Sequence, residues 1–176
     1  MNNLFNGIKS SLDELKRRGY TEQIALKENR MDEISAKKFW MRDNIKQGMV
    51  CVDAGACIGL YTKELSDLVG DTGTIFAFEP MLTNFTNLTK AMEGRSNIKF
   101  FHAGLGKETK KGVPLFIAGN LGWNSFNKNI HYIQDRLGGS YEESDLYSLD
   151  DILGPTQQVD FIKADVESLE IDLLHG

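Results

Sequence analysis

The chain has 176 residues, a net charge of −5 and 26% charged residues, which suits one domain and supplies no basic face for nucleic acid or an anionic membrane. No run approaches the roughly 18 apolar residues of a spanning helix, and the N-terminus shows no basic segment followed by a long apolar stretch, so the chain is read as cytoplasmic. Two cysteines, Cys51 and Cys57, lack metal-type spacing and read as reduced thiols.

In chain order, Leu4, Phe5, Ile8, Leu12 and Leu15 recur at spacings of three and four, predicting a helix from Asn2 to about Gly19. A second, more charged helical stretch runs from about Thr21 to Ile45, with Ile24, Met31, Ile34, Phe39 and Trp40 along it. Residues 1–47 thus read as an N-terminal helical segment. Phe39 and Trp40 suit packing against a sheet, with cover for a ligand mouth as the alternative.

Residues 48–176 read as an α/β domain. The apolar burst Val50-Cys51-Val52, broken by Asp53, suits a buried parallel strand. A turn follows in which Gly55 and Gly59 let the backbone approach a ligand at the start of a helix. That helix is predicted over Leu60–Val69, and a second strand over Thr74–Phe78 ends in Glu79-Pro80. A helix over Asn84–Met92 and a third strand over Asn97–Phe101 complete a β-α-β-α-β run, the pattern of a doubly wound, mostly parallel sheet.

Beyond Leu105 the pattern loosens. Val113–Ile117 reads as a strand, and Trp123, Asn124, Ser125 and Asn127 lie in a polar loop suited to an acceptor wall or to a plain surface loop. Tyr147–Leu149 reads as an edge strand, with Asp150 capping a short helix at Asp151–Leu153. A fourth core strand, Val159–Val166, leads into Glu167. Alternation puts Lys163, Asp165 and Glu167 on one face, near the strand end where ligands bind in open α/β sheets. No third metal ligand is evident beside Asp165 and Glu167, so no metal site is expected.

The dinucleotide fingerprint G-x-G-x-x-G is broken here by Cys57 and Leu60, which argues against a nicotinamide-dependent oxidoreductase. Val52-Asp-Ala-Gly-Ala56, Phe78-Glu-Pro80, Leu149-Asp-Asp-Ile152 and Val159-Asp-Phe-Ile-Lys-Ala-Asp-Val-Glu167, in that order, resemble the FkbM family of methyltransferases. The resemblance implies a class I, Rossmann-like fold, S-adenosylmethionine as cofactor, and methylation of a hydroxyl on a sugar or natural-product acceptor. It also implies site roles. Gly55, Ala56 and Gly59 would cradle the methionine end, Asp53 would orient its amino group directly or through water, and Glu79, followed by Pro80, would hold the ribose. His102, Ala103 and Gly104 would line the adenine pocket, His102 reading as a packed side chain rather than a base.

Asp165 is the candidate proton acceptor, Glu167 a placement residue, and Lys163 the charge that keeps both carboxylates ionised. Two departures stand out: Ser168 replaces the family's usual glycine, and Cys57 its usual asparagine. Only Leu169–Gly176 follow the fourth strand, so the sheet reads as incomplete on its C-terminal side, a fragment whose exposed edge could pair with a second copy. The rival outside enzymology is a degenerate module that binds the cofactor and transfers nothing.

Overall fold

A computed structural model describes residues 33–118, 124–127 and 139–176. The chain divides into two compact units, residues 1–44 and 45–176. In the first unit, α1 spans Glu33–Asn44, and Asn44 Nδ2 donates to Trp40 O across its last turn. The predicted helix over residues 2–19 and the start of the next stretch lie outside the described residues.

The second unit is built on a parallel sheet. β1 (Val50–Ala54) lies between β2 (Thr74–Phe78) and β7 (Phe161–Ala164), and β3 (Ile98–Phe101) flanks β2, giving the order β3-β2-β1-β7. The order reverses between β1 and β7, so a crevice opens at the carboxyl ends of those strands, where doubly wound sheets bind ligands. α2 (Leu60–Val69) connects β1 to β2, and α3 (Leu82–Ala91) connects β2 to β3. Short apolar runs form these strands because both faces of the sheet are covered.

Period-two alternation divides the strand side chains between those faces. Val52, Ala54, Phe76 and Phe78 join Leu105, Leu149 and Leu173 in one buried cluster, against which Phe101, Ile162 and Val166 pack. Phe78 and Phe101 stack there with centroids 4.6 Å apart, a contact worth about 0.5–1.5 kcal/mol beyond its burial. Cys51, Asp53, Ile75 and Ala77 belong to the opposite set. α2 contacts β1 and β2, and its Leu65 and Val69 are wholly buried.

A second sheet interrupts the alternation of strand and helix. β4 (Ala103–Leu105) pairs in parallel with β6 (Ser140–Tyr147), and β6 pairs antiparallel with β5 (Lys110–Ile117), giving the order β4-β6-β5. The expected edge strand at Tyr147–Leu149 is corrected: the strand ends at Tyr147. α4 then runs over Leu149–Leu153 with Ser148 at its N-cap, so Asp150 stands in the first turn instead of capping it. β7 is also shorter than expected, ending at Ala164, and α5 (Glu170–Leu173) follows the turn beyond it. Among the described residues no helix is long and apolar enough to cross a membrane.

Candidate functional site

The site begins at the end of β1. Gly55 N and Ala56 N both donate to Phe78 O, at 3.0 and 2.9 Å, so the turn after β1 is tied to the end of β2. On its other side, a Cβ on Gly55 would stand 2.0 Å from Asp165 O, and Gly55 has φ +74. Only glycine meets both conditions. The turn is thereby held between the ends of β2 and β7.

Beside it lies an open cavity of about 160 Å³, whose lining includes Gly55, Glu79, Asn84, Phe126, Asp165 and Glu167. Cys57, Pro80, Gly104, Leu105, Asn124, Val166 and Leu169 complete the lining. Glu79 is only 4% exposed. Its carboxylate accepts from Cys57 N at 2.8 Å and from Met81 N at 2.9 Å, and Asn84 adds a side-chain hydrogen bond. Burial nevertheless pushes the Glu79 carboxyl above its ordinary value, against those hydrogen bonds and the Lys163 charge.

Gly55, Glu79, Pro80, Asp165 and Glu167 therefore meet around one cavity. Asp53, Ala56, Gly59 and Ala103 do not line it. Asp53 is 0% exposed: Thr62 Oγ1 donates to its Oδ2 at 2.6 Å, and Lys163 Nζ lies 3.3 Å from its Oδ1 in an ion pair that lacks hydrogen-bond geometry. A direct contact from Asp53 to a cofactor amino group does not fit this burial. Gly59 caps α2 from a buried position. Ala103 is buried in β4, while His102 is exposed and stacks on Phe85 at 5.0 Å. The residues after β3 that reach the cavity are Gly104 and Leu105.

Lys163 does not line the cavity with Asp165 and Glu167. It sits opposite Asp53 in the β1–β7 register, and its Nζ donates to Gly55 O at 2.7 Å. Asp165 Oδ2 is farther, at 3.9 Å. The expected charge support for both carboxylates is corrected at Glu167, whose carboxyl is raised, first by partial burial and then by the charges of Asp165 and Glu170.

Glu167 and Ser168 take φ +49 and +76, two consecutive non-glycine residues in the left-handed region, where each costs about 1–2 kcal/mol. Ser125 helps to hold that turn. It bridges β5 through reciprocal hydrogen bonds with Phe116 at 3.0 Å, and its Oγ donates to Glu167 O at 2.7 Å. Of the proposed acceptor-wall residues, Asn124 lines the cavity, Ser125 is a buried strut, and Trp123 lies outside the described residues.

Phe126 and Asn84 were not foreseen from sequence. Phe126 reaches the cavity because it packs on Gly104, where a Cβ would fall 2.5 Å from its Cε2. Asn84 follows Glu79-Pro80 at the start of α3, and an amide so close to a strand-end carboxylate was the available signal.

The model of the methyltransferase FkbM domain matches residues 53–176. The chain belongs to the FkbM methyltransferase family. FkbM proteins use S-adenosylmethionine, which supplies a methyl group on a positively charged sulfur. The lining suits that cofactor: among the described residues it presents the carboxyl groups of Glu79, Asp165 and Glu167 and no lysine or arginine. Such a set favours a cation over the pyrophosphate of a dinucleotide. Among the described residues, no group of three His, Cys, Asp or Glu side chains could hold a metal.

No curated protein matches this FkbM chain at the level of a relative. Solved structures with a partial likeness include an S-adenosylmethionine-dependent methyltransferase from Aquifex aeolicus, with 22% identity over 41% of this chain and 39% of that one and a TM-score of 0.37. An rRNA methylase from Streptococcus thermophilus gives 17% identity over 43% and 45%, with a TM-score of 0.38. Aeropyrum pernix fibrillarin with bound S-adenosylmethionine gives 23% identity over 35% and 26%, with a TM-score of 0.34. The match spans less than half the length of each of these structures.

Proposed function

We infer that this FkbM chain carries the catalytic site of an S-adenosylmethionine-dependent O-methyltransferase acting on a hydroxylated small molecule of the sugar or natural-product class. The observation that carries the reading is the cavity at the β1–β7 switch point, lined by buried Glu79 together with Asp165 and Glu167. The β1 turn and Glu79 form the cofactor side, Glu79 offering its remaining lone pairs to the two ribose hydroxyls. Asn124, Phe126, Asp165 and Glu167 form the acceptor side. Phe126 provides a flat apolar face for a ring, and the Asn124 amide can both donate and accept.

The reaction is one displacement. Held by the β1 turn and Glu79, S-adenosylmethionine would supply an electrophilic methyl carbon to an acceptor oxygen, its sulfur keeping the bonding electron pair as S-adenosylhomocysteine leaves. A carboxylate of the site would take the hydroxyl proton. Glu167, expected from the resemblance to place the acceptor, is here assigned the proton in place of Asp165, because partial burial and then the charges of Asp165 and Glu170 raise its carboxyl above the ordinary value. The Asp165 side chain, 62% exposed, orients the acceptor and keeps Glu167 raised. Alignment supplies most of the rate, since bringing two reactants together in a fixed geometry lowers the barrier without further chemistry.

The test is transfer of labelled methyl from S-adenosylmethionine to a panel of sugars and polyhydroxylated natural products. At least one acceptor is expected to gain label, with Glu167→Gln lowering the rate by roughly 10²-fold or more. Binding of the cofactor with no transfer to any acceptor would favour the degenerate module.

A further inference from the structure

The strand lysine Lys163 has no place in the displacement just described, and its surroundings show another use for it. Its side chain is 15% exposed and is not among the cavity-lining residues. The ammonium donates to Gly55 O at 2.7 Å, approaches Ala54 O at 3.4 Å and faces Asp53 Oδ1 at 3.3 Å. It also lies 5.4 Å from the centre of the Tyr61 ring in the first turn of α2. One cation therefore meets the last residues of β1, the cofactor turn and the start of α2 from its position on β7.

The consequence concerns the direction of the turn. Gly55 N and Ala56 N are already fixed by Phe78 O, and Cys57 N by Glu79 Oε2. The Gly55 carbonyl would be left to rotate between them, at a residue with wide conformational freedom. Lys163 fastens it. The same ammonium lies 3.3 Å from Asp53 Oδ1, so it also sets a cation beside a carboxylate wholly removed from water.

We propose that Lys163 is a positioning residue for the cofactor turn, which it locks in its binding geometry through the Gly55 carbonyl while standing outside the cavity. This rests on the S-adenosylmethionine reading of the site. The inference gives the lysine of the Lys-x-Asp-x-Glu stretch a role separate from the two carboxylates that follow it, and makes cofactor affinity depend on a side chain the cofactor does not touch.

The experiment compares the wild-type chain with Lys163→Met and with the charge-neutral pair Asp53→Asn/Lys163→Met, which removes the uncompensated carboxylate should the single variant fail to fold. Two quantities are read: the Kd for S-adenosylhomocysteine by calorimetry, and amide hydrogen exchange in the ligand-free proteins. In a variant that still melts cooperatively, the amides of Gly55, Ala56 and Cys57 should exchange at least ~10-fold faster while those of β5 and β6 keep their rates, a local loss that general destabilisation would not give. The Kd should rise at least ~10-fold. Unchanged exchange at the turn overturns the inference, and so does wild-type affinity in a variant whose turn has loosened. Should the wild-type chain not bind S-adenosylhomocysteine, the cofactor reading fails separately and the exchange rates alone decide the role of Lys163.

Discussion

Gly55 and Asp165 meet so closely that not even a methyl group fits between them: a Cβ on Gly55 would stand 2.0 Å from Asp165 O. Gly55→Ala must strain a residue at φ +74 and push β7 away from the turn. The left-handed conformation alone costs about 1–2 kcal/mol, and displacement of β7 adds to it. Loss of S-adenosylhomocysteine binding and a lower urea midpoint are expected. Gly94→Ala is the control: φ is +84 but nothing lies within 4 Å of the added carbon. It should show only a cost of about 1–2 kcal/mol, with binding intact.

The turn after β7 holds strain that a single change relieves. Ser168, at φ +76, occupies the position where the family motif has glycine, and Ser168→Gly should stabilise the chain by about 1 kcal/mol. Ser125→Ala should do the reverse. It leaves Glu167 O without its 2.7 Å donor at a cost of about 1–3 kcal/mol, and should reduce methyl transfer more than cofactor affinity. Urea unfolding and parallel binding titrations measure both effects. Equal midpoints for all three proteins would show that the turn is unstrained.

Glu79 predicts a particular pH dependence. Its folded pKa is raised above the ordinary 4.5, chiefly by burial. An acid raised in this way contributes stability that is fully present below the unfolded value, where both states hold the proton. That contribution is lost as pH rises through the folded value. The ligand-free chain should therefore lose stability relative to Glu79→Gln as pH climbs from about 4.5. Urea midpoints of the pair at several pH values test this, and a constant difference would contradict it.

The two thiols should behave differently. Cys51 is 0% exposed and its pKa is pushed up to about 12 by burial and by the charge of Asp160. Cys57 is exposed and lines the cavity, with a thiol raised mainly by partial burial. A thiol reagent at neutral pH should label Cys57 slowly and Cys51 only after unfolding. S-adenosylhomocysteine should slow the labelling of Cys57. Peptide mass spectrometry would read the sites, and modification of Cys51 in the folded chain would refute the burial described.

Much of the nucleotide-binding half could be read from the residues, because local signals agree with the fold there. Leu60–Val69 carries helical spacing between two glycines and is a helix over those residues, and the bursts at Val50 and Thr74 form the two central strands. Of the second sheet only Val113–Ile117, part of β5, was legible, and the rest was hidden for a physical reason. Its middle strand, Ser140–Tyr147, is largely polar, and its pairing with Ala103–Leu105 joins segments far apart in sequence. Strand formation there is decided by tertiary contacts, not by propensity.

Site residues divided along the same line. Glu79, at the end of an apolar strand, reached the cavity as its position implied. Asp53 lies one residue from the turn yet points to the α2 side, where Thr62 and Lys163 enclose its carboxylate. Alternation was sound as far as Ala164. Beyond it, two left-handed residues redirect the chain, and no periodicity rule anticipates a turn formed by Glu167 and Ser168.

The central claim, that residues 53–176 form an S-adenosylmethionine site around Glu79, is tested most directly by calorimetric titration of the chain with S-adenosylhomocysteine. NADH serves as the control ligand. Saturable binding of S-adenosylhomocysteine and none of NADH is predicted, with binding abolished in Glu79→Ala while its circular dichroism spectrum stays that of the wild type. A folded chain that binds NADH in its place, or that binds S-adenosylhomocysteine equally well without Glu79, would contradict the account.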